Sequence, residues 1–109
     1  MLESLFGNKT TERILFFIER YGEGYPNKIA NTFGIRVNAV QQQMRRLENG
    51  GIVVSRLMGR VRIYQFNPRY PFVGELKALI KKAFAFLPES EMQKYYMLRT
   101  RPRKAGKPI

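Results

Sequence analysis

The hydrophobic period of this chain changes at Gly50-Gly51 from a helical repeat to a strand-like one, and it changes back after Pro71. A short β segment must therefore sit between helical segments within 109 residues. Ahead of the first change, Asn8-Lys9-Thr10-Thr11 offers capping side chains before an apolar pattern at Ile14, Leu15, Phe17, Ile18 and Tyr21. This predicts a helix ending at Gly22-Glu23-Gly24. Pro26 suits the first turn of a second helix, where its missing N–H would have no partner, and Ile29, Ala30 and Phe33 supply an apolar face. Gly34 is placed to end that helix in a left-handed conformation. After the short turn Ile35-Arg36, the residues Val37, Val40, Met44 and Leu47 recur at intervals of three, four and three, which gives a third helix one buried stripe.

Two β-rich runs, Ile52–Leu57 and Val61–Phe66, flank Met58-Gly59-Arg60 and read as a hairpin. Asn67-Pro68 and Tyr70-Pro71 close the unit, because a residue before proline is pushed out of helical conformation. Val73, Leu76, Ile80, Ala83 and Leu87 then predict an amphipathic helix over Phe72–Leu87, with Pro88 separating it from a weaker helical stretch around Glu89–Leu98. Residues 99–109 have almost no apolar content and read as a flexible tail. The expected fold class is α+β, mostly α: a three-helix core plus β-hairpin over residues 1–71, an additional C-terminal helix within 72–98, and a basic tail over 99–109.

The net charge of +12 is unevenly distributed. Residues 1–71 carry eleven basic and five acidic side chains, residues 72–98 four and three, and residues 99–109 five and none. A basic surface attracts polyanions by counterion release, and nucleic acid is the commonest such partner; a solvated face kept for solubility is the bland alternative. Cysteine and histidine are both absent. That excludes disulfides, thiolate and imidazole catalysis and the usual zinc sites, so neither metal nor cofactor is expected. With no phosphate loop and no paired-carboxylate site, an enzyme is the least favoured class. No apolar run approaches the roughly 18–20 residues that span a bilayer, and Met1–Phe6 lacks the charged start and apolar stretch of a signal peptide. The expectation is a soluble, cytoplasmic, nucleoid-associated protein.

Ala30, Gly34 and Val40 fall at the spacing of a helix-turn-helix. A small residue lets two helices cross closely, glycine permits positive φ in the turn, and a branched apolar residue fills the angle between the helices. Together with Lys28–Ile35, Ala39-Val40, Arg46-Leu47-Glu48, Gly51-Ile52-Val53, Gly59-Arg60, Tyr64 and Asn67-Pro68, these residues make the chain resemble the winged helix-turn-helix transcriptional regulators of the broad ArsR/MarR type. The resemblance covers about residues 9–71. The family often has Ser or Thr where Arg36 and Asn38 stand, which leaves the helix cap open. Metal-sensing members use Cys and His ligands that this chain lacks, so the resemblance is to non-metal-sensing members. It implies a sequence-specific duplex-DNA-binding regulator, with the third helix in the major groove and the hairpin as a wing on the backbone or in the minor groove.

At about 100° per residue, the helix face opposite the stripe holds Asn38, Gln42, Arg45 and Asn49, with Gln41 and Arg46 on its flanks. An Arg fork matches guanine O6 and N7, and a Gln or Asn amide matches adenine N6 and N7. Arg45 and Gln42 are therefore the first base-reading candidates, followed by Asn38 and Gln41. Arg36 and Arg46 are read as phosphate contacts, which fix register without reading sequence. Arg56, Arg60 and Arg62 surround the hairpin tip with no acid nearby, and suit phosphates or a narrow minor groove as well as protection of an edge strand. Tyr64 and Phe66 share a hairpin face and are assigned to the core rather than to base stacking.

Phe72–Leu87 has two readings, ordinary core or pairing with a second copy. The homodimer is preferred, because it would set two recognition helices one DNA turn, about 34 Å, apart. The tail residues Arg99, Arg101, Arg103 and Lys104 are assigned to non-specific phosphate contact or to plain solvated charge. Arg99-Thr100-Arg101-Pro102 resembles the AT-hook core, except that Thr stands where that motif has Gly. Two other functions compete with duplex binding: a winged-helix protein-interaction module, and RNA or single-strand binding through the tail.

Overall fold

The computed structural model describes residues 1–97. The expectations for Leu98 and for the tail residues Arg99, Arg101, Arg103 and Lys104 lie outside the described residues. The elements run α1 (Glu3–Phe6), α2 (Lys9–Tyr21), α3 (Pro26–Phe33), α4 (Val37–Asn49), β1 (Val53–Met58), β2 (Val61–Phe66), α5 (Val73–Phe84) and α6 (Glu89–Tyr95). The short α1 has no counterpart in the sequence reading.

Asn8 caps α2 by accepting a hydrogen bond from the Thr11 backbone N–H at 2.7 Å. Gly22, at φ +87°, ends the helix. Inside it, Ile14, Leu15, Phe16, Phe17 and Ile18 are buried one after another. Five consecutive buried residues span more than one helical turn, so α2 is covered on every side and forms the centre of the fold. On one side lie α3 and α4, where Ile29, Ala30, Phe33, Val40, Met44 and Leu47 complete the core. On the other, Phe16 meets Phe84 edge-on at 5.2 Å and Tyr96 at 6.0 Å.

The α3–α4 turn forms as its residues require. Gly34 takes φ +66° and ends α3, and the Ile35 N–H reaches back to the Ala30 carbonyl at 3.0 Å. No atom crowds the position of a Gly34 Cβ, so the backbone angle alone calls for glycine there. Ala30 and Val40 are both buried at the crossing. Arg36 precedes α4 without a side-chain cap.

β1 and β2 pair antiparallel with Val53 opposite Phe66 and Met58 opposite Val61, leaving Gly59-Arg60 as a two-residue loop. The hairpin begins one residue later than the sequence pattern implies. Ile52 instead donates its N–H to the Leu47 carbonyl, joining the hairpin root to α4. Gly24 adds a one-residue bridge to Tyr64 through two backbone hydrogen bonds of 2.9 and 2.8 Å. Tyr64 is buried and Phe66 is packed against the core, as their shared face predicts. The tyrosine's pKa is raised chiefly by that burial.

α5 is shorter than the apolar repeat. Its end tightens into i→i−3 hydrogen bonds from Phe86 to Ala83 and from Leu87 to Phe84, and Pro88 follows. The predicted stripe folds back on this chain, with Ile80 and Ala83 buried and Leu76 and Leu87 packed against the core. α6 is held through its backbone: Arg20 Nε donates to the Tyr96 carbonyl and the Tyr21 hydroxyl to the Tyr95 carbonyl at 2.7 Å. The Arg13 guanidinium lies over Phe33 at 5.3 Å and Tyr95 at 5.8 Å, fastening α6 against α3.

A Cβ at Gly24 would lie 2.9 Å from the Phe17 ring and 3.0 Å from Ile29. Gly24→Val should therefore destabilise the fold by about 1–3 kcal/mol through overpacking, read as a lower urea midpoint. Hydrogen exchange at Tyr64 should accelerate at the same time, because its N–H donates to Gly24.

Candidate nucleic-acid interface

Four elements fix the orientation of α4. Its apolar stripe is buried against α2 and α3, its C-terminal end joins the hairpin, and two side-chain clusters hold its flanks. In the first cluster, Gln43 Oε1 accepts from Thr11 Oγ1 at 3.1 Å and from Arg46 Nε at 2.8 Å. The Arg46 guanidinium also donates to the Phe6 carbonyl at 3.1 Å and to Thr11 Oγ1 at 3.0 Å. In the second, Ser55 Oγ donates to Glu48 at 2.7 Å and accepts from Arg62 at 3.0 Å, joining α4 to both strands of the hairpin.

With the helix so held, Asn38, Gln42, Arg45 and Asn49 are exposed together on one face, while Gln41 is half-buried at its edge. The side chains of Asn38, Gln42 and Arg45 have no hydrogen-bond or ion-pair partner among the described residues, and neither do those of Arg36 before the helix or Arg60 in the hairpin loop. Glu48, Arg62 and Arg45 all act electrostatically on the Tyr64 hydroxyl, so the exposed face of α4 and the hairpin flank adjoin. Across that junction, amide and guanidinium groups face solvent in fixed positions beside a basic ribbon. The chemistry suits hydrogen bonding to a polyanion with patterned edges.

The sequence-predicted arginines separate on this geometry. Arg46, expected to contact phosphate, is also a structural tie, because three partners on α1, α2 and α4 engage its Nε and Nη2 groups while Nη1 stays free on an exposed side chain. Arg56 is bound to Glu23 at 2.9 Å and to Gln65 at 3.0 Å, leaving it less available than its position implies. Arg62 uses one of its five N–H donors on Ser55 and keeps the others. Arg36, Arg45 and Arg60 remain open. The pattern missed Gln43 and Glu48, whose positions between the stripe and the exposed face carry no periodic signal. Among the described residues, no group of three or more His, Cys, Asp or Glu could hold a metal ion. No helix in that range is long and apolar enough to cross a membrane.

Three helices, a glycine turn and a basic hairpin in this arrangement define a winged helix-turn-helix. The same fold is found in solved structures of other proteins. The chain matches the YusO protein of Bacillus subtilis at 21% identity over 85% of this chain and 74% of that one, with a TM-score of 0.59. A MepR-like protein solved with pseudoligands matches at 18% identity over 84% and 70%, TM-score 0.58. A double mutant of Lactococcus lactis ZitR in apo form matches at 14% over 84% and 78%, TM-score 0.55. At these identities the likeness is one of fold. Sequence comparison matches the chain to no family model and to no curated protein.

The two neighbouring arginines of α4 should behave oppositely in the free protein. Arg46→Ala should lower stability by about 1 kcal/mol, because it leaves Gln43, Thr11 and the Phe6 carbonyl without a shared donor. Arg45→Ala should stay within about 0.5 kcal/mol of the parent. Urea denaturation of both variants checks the contrast.

Proposed function

We propose that this chain is a transcriptional regulator that binds duplex DNA sequence-specifically, with α4 in the major groove and the hairpin as a wing on the adjacent backbone or minor groove. The observation that carries this reading is the unpartnered face of Asn38, Gln42 and Arg45 on a helix whose other sides are fixed. Arg45 and Gln42 read base edges, Asn38 and Gln41 assist, and Arg36, Arg60 and Arg62 contact phosphates. The tail, through Arg99, Arg101, Arg103 and Lys104, adds sequence-independent affinity by counterion release. The protein acts in the cytoplasm on the nucleoid.

It does so as a homodimer through the Phe72–Leu87 segment. Most of the apolar stripe of α5 is buried within the chain, but Phe72 is 62% and Phe86 68% exposed. Beside Phe72 lies a largely apolar cleft of about 410 Å³, lined also by Leu5, Phe6, Leu76 and Leu79. A single module of this kind covers about 600–1,000 Å² of surface on DNA, and a second copy doubles that footprint.

Enrichment of random duplexes on the purified chain supplies the test sequence. Arg45→Ala with Gln42→Ala should weaken binding to the enriched duplex by about 2–6 kcal/mol, taking each bidentate pair at its usual worth, and should change binding to random duplex far less. Equal losses on both duplexes would reduce these residues to phosphate contacts and remove the claim of base reading. Affinity that does not fall with rising salt would instead favour a protein-interaction module.

A further inference from the structure

The tip of the hairpin is apolar. Leu57 is 63% exposed, Met58 55% and Val61 37%, all within three residues of Gly59. The pairing register places Met58 opposite Val61 on one face of the ribbon, and Leu57 opposite Arg62 on the other. Gly59 turns the chain at φ +65°, with the unpartnered Arg60 beside it. The result is a narrow blade whose end is apolar on both faces and whose flanks are cationic.

No acidic residue occurs between Glu48 and Glu75, whereas Arg56, Arg60, Arg62 and Arg69 all fall there. That charge suits a polyanion, and the exposed methyl and thioether groups suit a surface that excludes water. Duplex DNA offers both, with phosphates along its grooves and apolar base faces within the stack that a wedge between steps can reach. An anionic lipid surface does as well, but the hairpin is fastened through Ser55 and Glu48 to a helix whose free face carries amides matched to base edges rather than to headgroups. An antiparallel ribbon with side chains on both faces is about 10 Å thick. The undistorted minor groove is only about 6 Å wide, so this blade cannot enter it without opening it.

We propose that Leu57, Met58 and Val61 form an apolar wedge that opens the minor groove beside the α4 site and kinks the duplex, with a preference for easily unstacked pyrimidine–purine steps. The inference rests on the duplex-DNA reading above. The wedge reads deformability where α4 reads base edges, and it adds specificity at positions that no polar side chain touches. Arg60 and Arg62 hold the phosphates on either side while the groove widens.

The test uses the full chain and an enriched duplex carrying a donor and an acceptor dye at its ends, with 2-aminopurine at the flanking step. The variant replaces Leu57, Met58 and Val61 together by Thr, which keeps strand propensity and charge. The wild type should bend the duplex by about 20–90° and brighten the 2-aminopurine. The variant should bind with the same salt dependence but without the bend, and with affinity lower by about tenfold, or 1.4 kcal/mol. Single Met58→Thr, read in parallel, should give an intermediate bend, because two of the three wedge side chains remain.

A straight duplex under the wild type, or an unchanged bend under the triple variant, overturns the wedge and leaves base reading by α4 intact. Loss of binding to phosphatidylglycerol vesicles in the triple variant, together with a straight duplex under the wild type, overturns it in favour of a lipid surface. If the wild type binds no duplex at all, the DNA reading fails first and the wedge with it.

Discussion

The burial of α2 on all sides is the constraint from which the rest of the molecule follows. A helix with Ile14 through Ile18 removed from water needs neighbours around its whole circumference. α3 and α4 cover one arc, and α5 with α6 covers another through Phe16, Phe84 and Tyr96. The hairpin reaches the same core through Val53 and Tyr64. Each of these contacts removes an orientational freedom from α4. By the time Val40, Met44 and Leu47 are buried, one face of that helix has only solvent to meet.

A division of labour among similar side chains is the second consequence. Arg45 and Arg46 are adjacent in sequence, yet one faces solvent without a partner while the other joins three elements. The helical rotation between consecutive residues separates them, and Thr11 and Gln43 capture only the second. Arg13 and Arg20 likewise fasten α6 to the core, one by stacking over aromatic rings and the other by hydrogen bonding to a backbone carbonyl. Much of the basic character of residues 1–71 is therefore structural. Among the described residues near α4 and the hairpin, Arg36, Arg45 and Arg60 keep their side-chain charge free of any partner.

Local chemistry was legible where it determined the structure locally. Asn8 as a cap, Gly34 as a left-handed stop, the stripe of α4 and the hairpin around Gly59 each follow from a few neighbouring residues, and the structure has them within a residue or so. Phe16 was not legible, since it lies off the single face that periodicity highlights and is buried only because α5 and α6 return to α2. The tie through Gln43 and the link from Glu48 to Ser55 were hidden for the same reason, as their partners are remote or on another element. The repeat in α5 was read correctly as apolar, but a repeat does not state which surface will cover it, and this chain's own core takes most of it. Arg46 and Arg56 show the same gap for charge, because a basic residue on an outer face can still be claimed by a partner that sequence spacing does not reveal.

In the proposed function, the free face of α4, with the hairpin beside it, is the surface that meets duplex DNA. Backbone amide shifts of the isotopically labelled chain, followed as an enriched duplex is added, test it most directly. The largest changes are expected at Asn38, Gln42, Arg45 and Asn49 and at residues 57–62, with little change along Ile14–Ile18. Changes confined to α5 and α6, with α4 and the hairpin unmoved, would contradict it.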